Sequence, residues 1–198
     1  MKAIIFDADG MVIEGERFSS RYKKEFNITD EEMSPFFEGV FRDCSIGKAD
    51  LKGAVEPFLK KWKWEGSIDD FLDYWFSGNS VNEEMVREIK QLKNLGIKCY
   101  LATNQEKYRT EYFKKEMGLE KIFDKIYSSA EIGHKKSSRE FFQFILDDLK
   151  NKEGVSLEET IYWDDKEENI ALAKEMGLEG YIYKNIDDFR KIIENRIK

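Results

Sequence analysis

Two aspartates one residue apart, Asp7 and Asp9, close the first apolar run of the chain, "KAIIFDADG". Carboxylates at the end of a buried strand repel one another and resist desolvation, so the pair requires compensation. Three further segments end on polar residues of complementary kinds. "CYLATNQ" leads into Thr103 and Asn104, the stretch after "KIYSS" reaches Lys135 and Lys136, and "TIYWDD" ends on Asp164 and Asp165. Each has a plain explanation alone: a threonine or asparagine caps the next helix, adjacent lysines sit in water, and paired aspartates suit a helix N-terminus. Together they match one chemistry. Carboxylates converging on a point call for a cation, and an all-oxygen ligand set suits magnesium. A lysine and a hydroxyl facing them call for an anion rich in acceptor oxygens. Magnesium beside a doubly charged oxyanion is the setting of phosphoryl chemistry.

Such convergence needs a scaffold that brings distant strand ends to one edge. Short β-branched or aromatic runs ("KAIIFD", "GIKCYLAT", "KIYSS", "TIYWDD", "GYIYK") read as strands. Helical patterns alternate with them: "NEEMVREIKQLKNLG", "REFFQFILDDLK" after Ser137 and Ser138, "EENIALAKEMG", and "NIDDFRKIIENRI" from Asn185. This alternation predicts an α/β fold, a Rossmann-like three-layer parallel sheet with its ligand crevice at the carboxyl ends of the strands. The echo of "KKEMGLE" in "AKEMGLE" reads as two helix ends, with Gly118 and Gly177 left-handed, rather than a repeat.

Residues 14–80 break the alternation. They show no strand pattern and read as helices around Phe18 to Phe26, "DEEMSPFFEGVF", "KADLKGAVEPFLKKW" and "SIDDFLDYWF". The stretch is too long for one crossover and predicts an all-helical subdomain inserted after the first strand. Residues 1–13 and 81–198 form the core domain in this reading. Trp62, Trp64 and Trp75 all lie in the insertion and read first as its internal packing.

A formal net charge of −7 argues against a general nucleic-acid binder. No apolar run approaches the ~20 residues of a membrane span, and the first apolar run ends in acids, unlike a signal peptide. Cys44 and Cys99, far apart in sequence, read as buried reduced thiols, so a cytoplasmic location is expected. A single histidine, His134, speaks against a histidine-rich metal site or a histidine-driven triad.

In this order the motifs resemble those of the haloacid dehalogenase-like (HAD) hydrolase superfamily. "DADG" is similar to its first motif, "LATN" to its second, the lysine ahead of "SSREFF" to its third and "WDDKEEN" to its fourth. The insertion stands where that superfamily carries a type-1 helical cap. The resemblance implies that Asp7 is the nucleophile, forms an aspartyl-phosphate and binds Mg²⁺. It implies that Asp9 protonates the leaving oxygen and then activates water, its backbone carbonyl facing the metal. Thr103 and the Asn104 backbone N–H would bind the phosphoryl oxygens, Lys136 would neutralise charge, and Asp165 would hold Mg²⁺ with Asp164 beside it. In that superfamily dehalogenases lack the second aspartate, because a halide leaves without a proton, so the resemblance at Asp9 favours a phosphatase or phosphomutase over a dehalogenase. Two departures stand out. Ser137 follows the third-motif lysine where proline is usual, which keeps Lys135 in competition with Lys136. Asn169 replaces a frequent second aspartate of the fourth motif.

The expected activity is Mg²⁺-dependent hydrolysis of a small phosphorylated metabolite, a sugar phosphate being the best guess. Gly47 and Lys48 of "SIGKAD", with Arg42 nearby, are candidate substrate contacts, although a solvated Lys48 is the plainer reading. A phosphomutase using the same intermediate is the alternative. A phospho-accepting receiver module also combines acids, a hydroxyl residue and a lysine on a parallel sheet. The D-x-D spacing and the long insertion speak against it.

Overall fold

The computed structural model describes residues 1–197. In chain order the strands are β1 (Ala3–Asp7), β2 (Ile13–Gly15), β3 (Asn79–Val81), β4 (Lys98–Thr103), β5 (Lys125–Ser128), β6 (Thr160–Asp164) and β7 (Glu179–Ile182). The helices are α1 (Phe18–Phe26), α2 (Asp30–Phe37), α3 (Phe41–Cys44), α4 (Leu51–Leu59), α5 (Ile68–Phe76), α6 (Glu83–Asn94), α7 (Lys107–Lys115), α8 (Ser129–Ile132), α9 (Arg139–Asp148), α10 (Glu167–Glu175) and α11 (Ile186–Ile197).

Five strands form one sheet in the order β5-β4-β1-β6-β7, and every pairing in it is parallel. β1 is central because its residues are apolar on both faces. Ile4 and Phe6 pack into a core with Met85, Ile89 and Leu92 of α6 and with Phe189 of α11. Ala3 and Ile5 pack on the other side, with Phe141, Phe142 and Ile145 of α9. The three apolar residues of α6 recur at helical spacing, and Asn82 starts the helix by accepting the Met85 N–H at 3.0 Å. Gly118 and Gly177 adopt the left-handed backbone that their sequence context predicts.

Between β2 and β3, helices α1–α5 enclose an aromatic core of their own: Tyr22, Phe36, Phe71 and Trp62 are fully buried there, with Trp75 nearly so. The helix starts are set locally by capping boxes, Thr29 with Glu32 and Ser67 with Asp70. The polar atoms of the fully buried rings are satisfied, since Trp62 Nε1 donates to Glu32 O at 3.0 Å and Tyr22 Oη donates to Trp62 O at 2.9 Å.

The sequence shows no strand over residues 14–80, yet the chain enters and leaves the helices through an antiparallel ribbon. Ile13 pairs with Val81 and Gly15 with Asn79. Three-residue strands are too short for a period-two pattern, so their pairing is decided by proximity of the two crossing segments. The insertion also meets the sheet domain elsewhere. Ser129 Oγ donates to Ser45 O at 2.5 Å, and Tyr108 Oη donates to Asp50 Oδ2 at 2.7 Å. At Gly47 a Cβ would lie 2.3 Å from Ala130 O, so only glycine fits that approach.

Candidate active site

Three strand ends and one loop meet at one edge of the sheet. Asp7 is the last residue of β1, Thr103 of β4 and Asp164 of β6, while Lys136 lies in the loop between α8 and α9. Lys136 is 2% exposed and Asp7 4%, and Asp164 is fully buried. The Lys136 ammonium donates to Asp7 Oδ1, which also accepts the Ala8 N–H at 2.7 Å, and to Asp164 Oδ2 at 2.8 Å. Among the described residues, Asp7 Oδ2 receives no hydrogen bond, which leaves one carboxylate oxygen open to a ligand.

Electrostatics follow from this packing. Burial pushes the Asp7 carboxyl up to about 7, with the Asp164 charge adding to the rise and the Lys136 ammonium opposing both. Burial works against the Lys136 charge, but Asp7 and Asp164 outweigh it and raise its pKa. Asp164 is likewise opposed by burial and still lowered, chiefly by Lys136 and by hydrogen bonds from Lys136 and Tyr162. Its carboxylate takes five hydrogen bonds, from Lys136 Nζ, Tyr162 Oη, the Lys166 N–H and, twice, Asn169 Nδ2. That saturates its roughly four lone-pair sites. Asn169 therefore suits its position as an amide donor, where a second carboxylate would add repulsion.

One oxygen each of Asp7, Asp164 and Asp165 lies within 4.8 Å of the others, a spacing suited to a shared metal ion. Asp164 is already committed to its donors, so Asp7 and the exposed Asp165 are the carboxylates with free capacity. Gly10 makes room for this. Its φ of +87° turns the chain after β1, and a Cβ there would lie 2.7 Å from Asp165 Oδ2.

Thr103 is buried at the strand end, and Asn104 follows it. The Asn104 side-chain oxygen accepts the Lys136 backbone N–H at 2.9 Å, while its own backbone N–H makes no hydrogen bond among the described residues. Neither residue caps α7. Glu106 does so, accepting the Tyr108 and Arg109 N–H groups at 2.6 and 2.7 Å. Lys135 is half-buried, its pKa lowered by burial and by the Arg42 charge, and it bonds to none of the acids. Lys48 is exposed on the turn before α4, outside the cavity lining.

That cavity, about 440 Å³, opens between the acids and the helical insertion. Asp9, Gly10, Asn104, Gln105, Arg109 and Asp165 line its sheet side; Phe18, Phe37, Phe41 and Trp75 line the other. Trp75 thus serves both the insertion's core and the cavity wall.

The sequence reading missed Arg109 and Gln105. Arg109 Nη1 and Nη2 donate to Asp9 Oδ2 and Oδ1 at 3.0 and 2.8 Å, and Gln105 Nε2 donates to Oδ2 at 2.5 Å. An arginine in the first turn of a polar helix reads as solvent-facing. Its only signal is its place one turn beyond a strand end that already carried candidate residues.

Known proteins share the family and the fold of this chain. The family described as haloacid dehalogenase-like hydrolase matches residues 1–177. A D-ribitol-5-phosphate phosphatase of Bacteroides thetaiotaomicron is 24% identical over 203 residues, covering 96% of both chains. A glyceraldehyde 3-phosphate phosphatase of Methanocaldococcus jannaschii is 29% identical over 197 residues, covering 90% of this chain and 82% of its own. A crystal structure of a HAD family enzyme of B. thetaiotaomicron, in complex with magnesium and inorganic phosphate, superposes with a TM-score of 0.77. At 21% identity, over 93% of this chain and 94% of the other, that likeness establishes the shared fold.

Proposed function

This chain belongs to the haloacid dehalogenase-like hydrolases, and we propose that it is a magnesium-dependent phosphatase of a small phosphorylated metabolite, of the sugar-phosphate kind. The observation that carries the proposal is the buried Asp7, ion-paired to Lys136, with one carboxylate oxygen that accepts no hydrogen bond among the described residues, two residues before the cavity-lining Asp9. A carboxylate approaching an anionic phosphate meets roughly 4 kcal/mol of repulsion per charge pair at 4 Å and an effective dielectric near 20. Lys136 offsets part of this directly.

In this reading Asp7 attacks phosphorus and carries the phosphoryl group as an aspartyl-phosphate. Asp9 protonates the departing ester oxygen and then takes a proton from the water that releases phosphate. The free Asn104 N–H and the Thr103 hydroxyl bind the phosphoryl oxygens. Asp7 and Asp165, with the Asp9 carbonyl, would hold Mg²⁺, and the three-carboxylate cluster beside a single ammonium fits that charge. When bound, the ion supplies charge neutralisation between nucleophile and phosphate. Helices α1–α5 act as a cap, with the cavity's aromatic wall covering the organic part of the substrate and excluding water. The ribitol- and glyceraldehyde-phosphate relatives favour a short sugar or polyol phosphate. Two buried free thiols suit a reducing, cytoplasmic compartment.

The test is release of inorganic phosphate from a panel of phosphorylated metabolites with Mg²⁺, with EDTA as the control. Turnover without a bisphosphate activator is expected, and a strict requirement for one would instead indicate a mutase. Activity indifferent to EDTA would remove the metal from the reading.

A further inference from the structure

Asp9 differs from the buried acids of the crevice, Asp7 and Asp164. It follows β1 in a loop, its side chain is 48% exposed, and none of its contacts is with Lys136. A half-exposed carboxylate on a loop rotates freely unless something holds it. Here Arg109 holds it. The two guanidinium nitrogens grip both oxygens, at 3.0 and 2.8 Å, and Gln105 adds a third donor. A fork on a carboxylate fixes its plane as well as its position, which a point charge does not.

Arg109 is itself held from several sides. Its side chain is only 14% exposed. Its guanidinium carbon stands 4.8 Å from the Phe113 ring centroid, and Nη2 also donates to Asn79 Oδ1 at 3.0 Å. Glu106, nearly fully buried, fixes the first turn of α7 through the Tyr108 and Arg109 N–H groups. Asn79 begins β3, where the chain returns from the insertion. The fork is therefore anchored to the sheet domain and to the ribbon, while one side of Asp9 faces the cavity.

We infer that Arg109 is a positioning residue that sets the plane of the Asp9 carboxyl group, so that proton delivery to the leaving oxygen depends on the side chain at position 109. The inference rests on the proposed role of Asp9 as proton donor. In that step the Asp7 oxygen–phosphorus bond forms and the phosphorus–ester oxygen bond breaks as the Asp9 proton moves to the ester oxygen. Asp9 regains a proton from the water whose oxygen then bonds to phosphorus and displaces Asp7. A leaving group that departs as a stable anion needs no proton, whereas an alkoxide does.

The experiment compares kcat/KM for p-nitrophenyl phosphate and benzyl phosphate, in the full chain with Mg²⁺, for wild type, Asp9→Asn, Arg109→Met, Arg109→Lys and the Asp9→Asn/Arg109→Met double variant. Met keeps an apolar stem on Phe113, and Asp9 is half exposed, so the Asp9 charge is not stranded in the interior. Melting curves check each fold. Arg109→Met is expected to lower the benzyl to p-nitrophenyl ratio by about tenfold or more, as loss of a placed general acid does. Arg109→Lys, with charge but no fork, should fall between, and Arg109→Met should change nothing further once Asp9 is Asn. Equal losses on both substrates, a full ratio in Arg109→Lys, or additive losses in the double variant would overturn the positioning role. If Asp9→Asn itself leaves the ratio unchanged, the acid role of Asp9 fails and the inference with it. If Asp9→Asn shifts the ratio and Arg109→Met does not, the inference alone fails.

Discussion

Replacing Lys136 with alanine removes the ammonium that, among the described residues, touches both Asp7 and Asp164. The side chains involved are 2%, 5% and 0% exposed, so water does not take the lysine's place without reorganisation. Removing one partner of a buried pair costs about 3–5 kcal/mol, because the stranded charge keeps its desolvation penalty. For a chain of this size each kcal/mol moves the melting temperature by about 2–4 °C, so Lys136→Ala should melt roughly 6–20 °C lower in the absence of divalent cations. Lys135→Ala, which strands no acid, should stay within about 0.5 kcal/mol of wild type. Differential scanning calorimetry of both variants in EDTA reads the stability difference. Phosphatase assays with Mg²⁺ should show a loss of about a hundredfold or more for Lys136→Ala alone. Adding Asp7→Asn to Lys136→Ala should recover part of the lost stability, since it removes one stranded carboxylate. The reasoning is refuted if Lys135→Ala is the severe variant, or if Asp7→Asn further destabilises Lys136→Ala.

The remaining predictions use the same groups. Asp7→Asn should abolish turnover of an aryl phosphate while unfolding at the same or a higher urea concentration than wild type; a midpoint equivalent to more than about 1 kcal/mol of loss contradicts this. Asp7 also sets a pH slope. Its folded pKa, about 7, lies above the ordinary 3.8, so the folded state binds the proton more tightly. The apo protein therefore loses this contribution as pH rises from about 4 through 7. Urea midpoints of wild type relative to Asp7→Asn should fall across that window, and a rise would reverse the assignment. Mg²⁺ at a hundred times its dissociation constant should stabilise the protein by about 2.7 kcal/mol, read as a higher melting temperature. Asp165→Asn should largely erase that shift, and an unchanged shift would remove Asp165 as a ligand. Gly10→Ala forces a Cβ to 2.7 Å from Asp165 Oδ2 at a positive φ, so it should cost about 1–3 kcal/mol and weaken the Mg²⁺ shift. A fully wild-type melting profile would show that the turn relaxes freely.

Much of the site was legible because it sits where local patterns are strongest. Apolar runs ending in polar residues mark strands whose ends carry function, and alternation with helices makes those strands parallel. Parallel strands place their carboxyl ends at one edge, so Asp7, Thr103 and Asp164 had to converge whatever else the chain did. Residues in irregular segments were not legible in this way. Lys135 and Lys136 occupy a loop without a period, so the motif register ahead of "SSREFF" favours Lys136 but leaves Lys135 in competition. The choice falls to Lys136 because its N–H is tied to Asn104 and its side chain is enclosed between two carboxylates. Asp164 read as a companion to the metal ligand, but packing gave it Tyr162 and Asn169 as donors and made it the second counter-ion of the lysine. The β2–β3 ribbon joins residues 64 to 68 positions apart and the Arg109 fork residues 100 apart, and no local periodicity marks either.

Local chemistry along the chain thus determined the order in which the site's groups occur: paired carboxylates, hydroxyl, lysine, paired carboxylates. Tertiary packing decided which of two neighbours serves and what holds it. The physical reason is that propensity and periodicity act over a few residues, whereas desolvation and charge pairing depend on what the whole fold brings within about 4 Å.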